Sequence, residues 1–378
     1  MPWAAGVNNT RIRGEGMSEF MRCAPSEANA NANANASGAA PVRVKGKGGT
    51  RVIDIHCHLN IPAADAVLGR YIGQAIGQFS NPQTDAVNRA QFAQIGPKLN
   101  AIETHLADMD ATGIDIQALS PMPGQQLYVA PPDEARRGAR MINEGIASAV
   151  ATHPDRFVGM GLVPLQVPEL AIAEMKYCVE SLGLRGIEIP SHVNGRELSA
   201  PELRPFFAAA EEIGLLLFLH PLGFTHGERL KAHYFNNLLG NPIEAAVAVG
   251  HLIFDGVLDR MPGLKICVAH GGGYVSHYWG RMDHAWRARP DCREHLPRPP
   301  SDYLHQLYFD TLVFDPAQLK YMVDTYGADH LCLGTDYPFD MSEPDPLGFH
   351  SGLAAADREK ILGGTAAQLL GLNQKATA

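Results

Sequence analysis

The sequence lacks the signals that mark three large classes of protein. No CxxC pair occurs among its six cysteines, so they are predicted to be reduced residues of a cytoplasmic protein. No uninterrupted apolar run approaches the ~20 residues that a membrane helix requires, and the N-terminus has no apolar core of a secretory signal. No lysine- or arginine-rich stripe offsets a formal net charge of −9, which argues against a nucleic-acid partner. A small-molecule partner is therefore expected.

The chain does have enough apolar residues to fold. Of its 378 residues, 46% are hydrophobic and 19% are charged, which suits one large α/β domain or two smaller ones. Residues 1–50 differ, because they are rich in Ala, Asn, Gly and Ser and include the tract SEANANANANASGAAP. This composition predicts a disordered low-complexity tail. The folded domain is predicted over residues 51–378, with a long segment at about residues 60–100 that could form a lid.

Short apolar runs of strand type alternate with longer stretches of helical periodicity. The predicted strands cover residues 51–56, 114–120, 157–163, 185–189, 215–220, 264–270, 307–310 and 330–335. Eight strands that alternate with helices predict a parallel sheet, and at this length a closed (β/α)8 TIM barrel is the economical arrangement. A doubly wound open sheet is the alternative, but its first strand usually leads into a glycine-rich phosphate turn, whereas this sequence has His-Cys-His there.

Candidate metal ligands lie at the ends of four predicted strands. His56 and His58 are two residues apart on strand 1, so the alternation of side chains points both to the same side. His220 ends strand 5, His270 ends strand 6 and Asp336 follows strand 8. The carboxyl ends of barrel strands share one face, so these side chains are expected to meet. Three imidazoles and a carboxylate suit Zn²⁺, and we assign His56, His58, His220 and Asp336 to the metal.

His270 is left outside this set of four. A histidine beside a metal is suited to accept a proton from metal-bound water, so we predict His270 as the catalytic base. A single histidine at a strand end is more often an ordinary core or surface residue. Five such residues on one face of a barrel favour a metal site.

The same motifs carry a resemblance to a known family. VIDIHCH, LHP, AHGGG and LGTDYPF, in this order and spacing, resemble the amidohydrolase superfamily of metal-dependent barrels, in the branch that contains aminocarboxymuconate-semialdehyde decarboxylase. Residues 270–314 are similar to that decarboxylase almost segment for segment, including Gly280-Arg281 and Trp286. The similarity covers about residues 51–372.

The resemblance implies roles for particular residues. It implies that His56, His58, His220 and Asp336 hold zinc, that His270 and Asp336 are catalytic, and that Arg281 binds a substrate carboxylate, either within one chain or across the interface of a homodimer. Superfamily members with two metals typically bridge them with a lysine from strand 4, and no lysine occurs between Lys176 and Lys231. We therefore expect one metal per subunit, with Mn²⁺ or another divalent ion as an alternative to Zn²⁺. Glu188 on strand 4 fits either a residue facing the site or a structural residue of the barrel interior.

The reaction that this resemblance implies is non-oxidative decarboxylation of a conjugated or aromatic carboxylic acid, without an organic cofactor. The alternatives are a metal-dependent hydrolase of a C–C, ester or amide bond, and a non-catalytic barrel scaffold. Two departures from the decarboxylase pattern suggest a different substrate. The strand-5 motif reads His-Pro-Leu rather than His-Pro-Trp, and the loop after strand 1 offers only Arg70, Arg89 and Lys98 as cations. His226 and His233, after strand 5, are interpreted as plain loop residues.

Overall fold

The computed structural model describes residues 51–75, 79–126 and 128–372, and the tail predicted over residues 1–50 lies outside this range. The strands are β1 (Ile53–Leu59), β2 (Ile116–Pro121), β3 (Phe157–Gly161), β4 (Gly186–Ile189), β5 (His192–Val193), β6 (Arg196–Glu197), β7 (Leu216–Leu219), β8 (Lys265–Val268), β9 (Tyr308–Asp310) and β10 (Leu331–Cys332). Strands β5 and β6 form a small antiparallel hairpin. The other eight form one parallel sheet in the order β1-β2-β3-β4-β7-β8-β9-β10.

Helices connect these strands. They are α1 (Pro62–Ala75), α2 (Pro82–Asn100), α3 (Ile102–Thr112), α4 (Pro132–Thr152), α5 (Pro168–Glu180), α6 (Arg204–Ile213), α7 (Asn241–Phe254), α8 (Val257–Arg260), α9 (Val275–Tyr278), α10 (Gly280–Ala288), α11 (Pro300–Leu304), α12 (Pro316–Tyr326), α13 (Pro346–Phe349), α14 (Ala355–Glu359) and α15 (Thr365–Leu369). In the described ranges, no helix combines the length and the apolar character needed to cross a membrane.

Local sequence explains where several helices begin. Helices α1, α2, α4, α5 and α12 have proline as their first residue, where the missing N–H costs no helical hydrogen bond and φ is already suitable. The side chain of Asn81 accepts a hydrogen bond from the Thr84 N–H at 2.9 Å and so caps α2. Asp315 caps α12 by accepting from Ala317 N–H at 2.8 Å. These residues determine where the helices that cover the sheet begin.

The sheet closes on itself, which confirms the predicted (β/α)8 barrel. The N–H of Ile55 on β1 donates to the carbonyl of Leu333 at 2.9 Å, and the N–H of Asp336 donates to the carbonyl of His56 at 2.8 Å. These bonds join the first strand to the segment that follows β10. Because β1 and this segment are neighbours, residues almost three hundred positions apart share one end of the barrel.

Two predicted strand ends differ from the structure by three residues, and the other bounds differ by two or fewer. Strand β1 continues to Leu59, so His56 and His58 lie within the strand rather than at its end. Strand β10 stops at Cys332, because the N–H of Leu333 donates to the carbonyl of Ile361 at 2.9 Å instead of extending the sheet. Asp336 therefore stands on an irregular segment, with a φ of +60°.

A buried carboxylate lies where the barrel closes. Asp54 on β1 is fully buried and accepts hydrogen bonds from Thr335 N–H at 3.0 Å and Thr335 Oγ1–H at 2.7 Å. It also accepts from the N–H of His56 at 3.1 Å. Burial raises the pKa of Asp54 to about 6, although these hydrogen bonds oppose the shift. Asp54 thus ties β1 to the residue that precedes Asp336.

We expect Asp54→Ala to lower the free energy of unfolding by about 3 kcal/mol, because it leaves buried donors of Thr335 and His56 without an acceptor. The matched change Asp155→Ala removes an exposed carboxylate and should cost about 0.5 kcal/mol or less. Urea denaturation followed by circular dichroism measures both. Equal losses for the two variants would contradict a closing role for Asp54.

Candidate metal centre

The four predicted metal ligands and His270 meet at one end of the barrel. The ring centroid of His56 lies 5.1 Å from those of His58 and His220 and 5.2 Å from that of His270. The Oδ1 atom of Asp336 lies 3.4 Å from His56 Nε2 and 3.2 Å from His58 Nε2, and its Oδ2 lies 3.6 Å from His270 Nε2. The side chains of His56 and His58 share one side, as their spacing predicts.

The hydrogen bonds of His56 and His58 orient both rings toward a common point. The Nδ1 atom of His56 lies 2.7 Å from the carboxylate of Asp310, and the Nδ1 atom of His58 lies 3.0 Å from the carbonyl of Pro121. A carboxylate and a carbonyl only accept, so each Nδ1 carries a hydrogen and each Nε2 is the ring atom left to face a metal. This is the arrangement by which metal-binding histidines are usually fixed.

Several buried nitrogen atoms here have no partner within the described part of the chain. They are Nε2 of His56, Nε2 of His58 and both ring nitrogens of His220. Buried polar atoms are rarely left unsatisfied in folded proteins, so each such atom requires an explanation. Unpaired imidazole nitrogens that converge on a carboxylate are the donor set of a divalent metal ion, and the residues therefore fit such an ion.

The charges of the site form a buried ion pair between Asp336 and His56. Burial raises the pKa of Asp336, but the charge of the nearby His56 outweighs burial and holds that pKa well below its usual value. Burial lowers the pKa of His56, but the carboxylates of Asp336 and Asp310 outweigh it and raise that pKa to about 10. Burial, together with the neighbouring His58, His270 and His56, lowers the pKa of His220 well below its usual value. An ionised carboxylate and a neutral imidazole are the forms that bind a metal, so Asp336 and His220 are in ligand form and His56 releases a proton when an ion binds.

His270 differs from the other four residues in exposure. Its side chain is 15% exposed, and its backbone has a φ of +55°, which is uncommon for a residue other than glycine. One donor atom each of His56, His220, His270 and Asp336 lie within 4.8 Å of one another. His270 is therefore close enough to touch whatever is bound at the site, and its assignment as base rather than ligand stays a prediction.

A cavity of about 450 Å³ opens above these residues. His220, His270 and Asp336 form part of its surface. Its aromatic walls comprise Phe79, Phe92, Tyr128, Phe224, Tyr234 and Phe339. Helix α2 of the segment at residues 60–100 contributes Phe92, whose ring centroid lies 6.3 Å from that of Phe339. Amide side chains, including Gln126 and Asn241, supply much of the polar lining. The cavity suits a flat ligand with an apolar body.

Among the described residues, no arginine or lysine lines this cavity. Arg281 is exposed on α10, and it is not part of the lining in a single chain. The other cations and histidines considered from the sequence also lie outside the lining, namely Arg70, Arg89, Lys98, His226 and His233. Arg70 pairs with Glu134, and Lys98 pairs with Asp108 at 2.6 Å.

Glu188 is fully buried on β4. One of its oxygens accepts from the amide of Gln126, and the other lies 3.9 Å from His58 Nδ1. Burial raises the pKa of this carboxyl. Glu188 thus lies beside the metal centre and is not among the donor atoms grouped around Asp336.

Sequence reasoning missed Asp310, the last residue of β9. Its carboxylate accepts from His56 Nδ1–H at 2.7 Å and from the N–H groups of His270 at 2.9 Å and Gly271 at 2.7 Å. The signal was available, because Asp310 ends an apolar strand just as His220 does. The sequence spacing of metal ligands does not identify a residue that contacts the ligands rather than the metal.

Comparisons with known proteins give a consistent result. The family model of the amidohydrolases matches residues 53–372. The chain is 37% identical over 275 residues to 2-amino-3-carboxymuconate-6-semialdehyde decarboxylase of Dictyostelium discoideum, covering 72% of this chain and 77% of the relative. It is 30% identical over 287 residues to gamma-resorcylate decarboxylase of Rhizobium sp. (strain MTP-10005), covering 70% of this chain and 85% of the relative.

A solved structure is also similar over most of the chain. The crystal structure of 5-carboxyvanillate decarboxylase from Novosphingobium aromaticivorans, complexed with manganese and 4-hydroxy-3-methoxy-5-nitrobenzoic acid, superposes with a TM-score of 0.76 at 25% identity. The match covers 89% of this chain and 100% of that one.

We expect His58→Ala to weaken binding of Zn²⁺ by roughly 100-fold or more, because loss of a direct ligand should exceed the 10–100-fold cost of losing a residue that only supports a ligand. His192→Ala is the control, because His192 also lines the cavity but its Nε2 pairs with Thr225 at 2.7 Å. Competition with a chromophoric chelator measures both affinities. Unchanged affinity in His58→Ala would contradict the ligand assignment.

Proposed function

Because the chain belongs to the amidohydrolase superfamily, in the branch of 2-amino-3-carboxymuconate-6-semialdehyde decarboxylase, we propose that it is a metal-dependent non-oxidative decarboxylase. The substrate is a conjugated or aromatic carboxylic acid. The observation that carries this proposal is the buried His/Asp donor set at the base of a cavity walled by aromatic side chains. Relatives that cover most of the chain carry decarboxylase names, which supports the same reaction.

The proposed metal is one Zn²⁺ per chain, held by His56, His58, His220 and Asp336. Imidazole nitrogens with a carboxylate oxygen are ligands that zinc prefers. Manganese is the alternative, since a similar structure was solved with that ion. When bound, the ion supplies Lewis-acid polarisation and a fixed point for the oxygen atoms of the substrate.

Other residues of the chain bind the substrate and transfer the proton. The aromatic walls hold the conjugated part of the substrate flat, so that the electron pair released with CO₂ is delocalised into it. His270, at the cavity surface, takes up a proton as the base and then transfers it to the carbon that loses CO₂, which completes the replacement of the carboxyl group by hydrogen. Asp336 faces His270 Nε2 at 3.6 Å and stabilises the charged imidazole.

Two other functions compete with this one. A hydrolase of the same superfamily uses similar ligands on a C–C, ester or amide bond. The aromatic walls and the named relatives favour decarboxylation instead. A scaffold protein without catalysis would have no need to keep unpaired imidazole nitrogens in a buried cluster.

We propose that the chain acts as a homodimer in which Arg281 of one chain approaches the cavity of the other. The described lining of the cavity offers no cation for a carboxylate, whereas a guanidinium binds that group well. Arg281 is exposed, and the nearby Tyr274 and Tyr278 are 43% and 69% exposed. Exposed aromatic side chains of this kind are enriched at protein interfaces.

The remaining features of the sequence fit the same proposal. The segment at residues 60–100 acts as a lid, because α2 borders the mouth of the cavity. The cysteines in the described ranges are free thiols, four of them buried, which supports a cytoplasmic location.

We expect release of CO₂ from at least one member of a panel of conjugated and hydroxylated aromatic carboxylates. His270→Ala should lower kcat by about 10²–10⁴-fold, the usual contribution of a general acid or base, while metal content is unchanged. His226→Ala, which changes an exposed histidine outside the lining, should retain full activity. Activity on ester, amide or C–C substrates without CO₂ release would favour the hydrolase, and full turnover by His270→Ala would refute the base assignment.

Mixing two inactive variants tests Arg281 across the interface. We expect Arg281→Ala and His270→Ala each to be inactive alone and an equal mixture, after subunit exchange, to regain about a quarter of wild-type activity. Half the dimers are then mixed, and each mixed dimer has one complete site. If Arg281 serves its own chain, no site in the mixture is complete and activity stays absent. Analytical ultracentrifugation confirms that dimers are present.

A further inference from the structure

We propose that Asp310 is a positioning residue that fixes the metal ligand His56 and the base His270 relative to each other. This inference rests on the proposed function, because it concerns the same site. Asp310 does not line the cavity and is not one of the grouped donor residues, so it acts through the two histidines. Its carboxylate accepts hydrogen bonds from both.

The first oxygen of Asp310 joins the two histidines directly. Its Oδ2 accepts from His56 Nδ1–H at 2.7 Å and from the backbone N–H of His270 at 2.9 Å. Both partners therefore point at a single atom. A displacement of this oxygen moves the ligand ring and the backbone of the base together.

The second oxygen holds the turn that carries the base. Oδ1 of Asp310 accepts from Gly271 N–H at 2.7 Å and from Leu312 N–H at 3.2 Å. His270, Gly271 and Gly272 have φ values of +55°, +61° and +76°. A residue with a side chain keeps such a φ only where its surroundings hold it. The carboxylate supplies that restraint, since successive N–H groups in this kind of turn form an anion-binding concavity.

Gly334 shows how closely the carboxylate and the ring are placed. A Cβ atom at position 334 would lie 2.8 Å from Asp310 Cβ and 2.9 Å from His56 Cβ. Only glycine avoids both contacts, so the backbone after β10 passes directly beside the pair. The spacing between Asp310 and His56 therefore also depends on the backbone of the segment after β10.

Asp310→Asn tests the proposal because a carboxamide has one accepting oxygen and one NH₂ group. One side then presents an NH₂ group in place of an acceptor, either to His56 Nδ1–H and the N–H of His270 or to the N–H groups of Gly271 and Leu312, so the two sets are no longer held together. We expect Zn²⁺ and Mn²⁺ affinity to fall 10–100-fold, measured by chelator competition on the full chain. We also expect hydrogen exchange at the amides of His270 and Gly271 to accelerate at least tenfold.

Glu174→Gln is the matched control. Glu174 is a buried carboxylate on α5 that accepts from Arg140 Nη2–H at 2.7 Å and from the Asn143 amide at 2.8 Å, away from the cavity. The control should lower Tm and leave metal affinity and exchange at residues 270–271 unchanged. If Asp310→Asn behaves like the control, the carboxylate is merely structural and the proposal is wrong. If metal affinity falls while exchange at residues 270–271 does not change, Asp310 orients His56 alone and the coupling is refuted.

Gly334→Ala provides a second route should Asp310→Asn fail to fold. It keeps the carboxylate but pushes it away from His56, so the same two readouts should move in the same direction. Normal values for both would overturn the proposal. Neither readout requires a substrate, so absence of CO₂ release would count against the proposed function without altering this result. Where turnover is detected, kcat at saturating metal should also fall at least tenfold in Asp310→Asn.

Discussion

The candidate site depends on the backbone hydrogen bonds that close the parallel sheet between β1 and the segment after β10. The N–H of Asp336 donates to the carbonyl of His56 at 2.8 Å, which places the carboxylate beside the two histidines of β1. Asp54 strengthens the same junction by accepting two hydrogen bonds from Thr335. The donor set is thus a consequence of barrel closure, since its members are brought together by the fold and not by sequence proximity.

At this junction between β1 and the segment after β10, burial and hydrogen bonding determine the orientation and the charge of the side chains. The rings of His56 and His58 are fixed by acceptors on Asp310 and Pro121, so their Nε2 atoms face the same point. Burial keeps His220 neutral, and the positive charge of His56 keeps Asp336 ionised. A site of this kind is preorganised in geometry, and His56 gives up a proton when an ion binds. Among the described residues, the cavity above it is lined mainly by aromatic and amide side chains and by no arginine or lysine.

Much of this arrangement follows from the sequence alone. Alternating strands and helices indicate the barrel, and the two-residue spacing of His56 and His58 indicates a shared direction. Histidines or an aspartate after three further strands complete the set, because parallel strands place their carboxyl ends on one face. The ends of β1 and β10 were less predictable, since pairing with β2 extends β1 to Leu59 and the bond from Leu333 N–H to Ile361 ends β10 early.

Other features are visible only in the three-dimensional structure. The hairpin of β5 and β6 has strands of two residues each, too short for a hydrophobic period to appear. Asp310 on β9 accepts from the ligand His56 on β1 and from the backbone of His270 after β8, and only the geometry of the closed barrel reveals these contacts. The cation-free lining of the cavity depends on where Arg70, Lys98 and Arg281 point, which composition and spacing do not determine.

The most direct test of the central claim is anomalous X-ray diffraction from crystals of metal-loaded protein, recorded at the absorption edge of the bound metal. The account predicts one strong peak per chain at the barrel end, about 2.0–2.2 Å from nitrogens of His56, His58 and His220 and from an oxygen of Asp336. A folded chain with no peak there, or with the metal bound by other side chains, would contradict it.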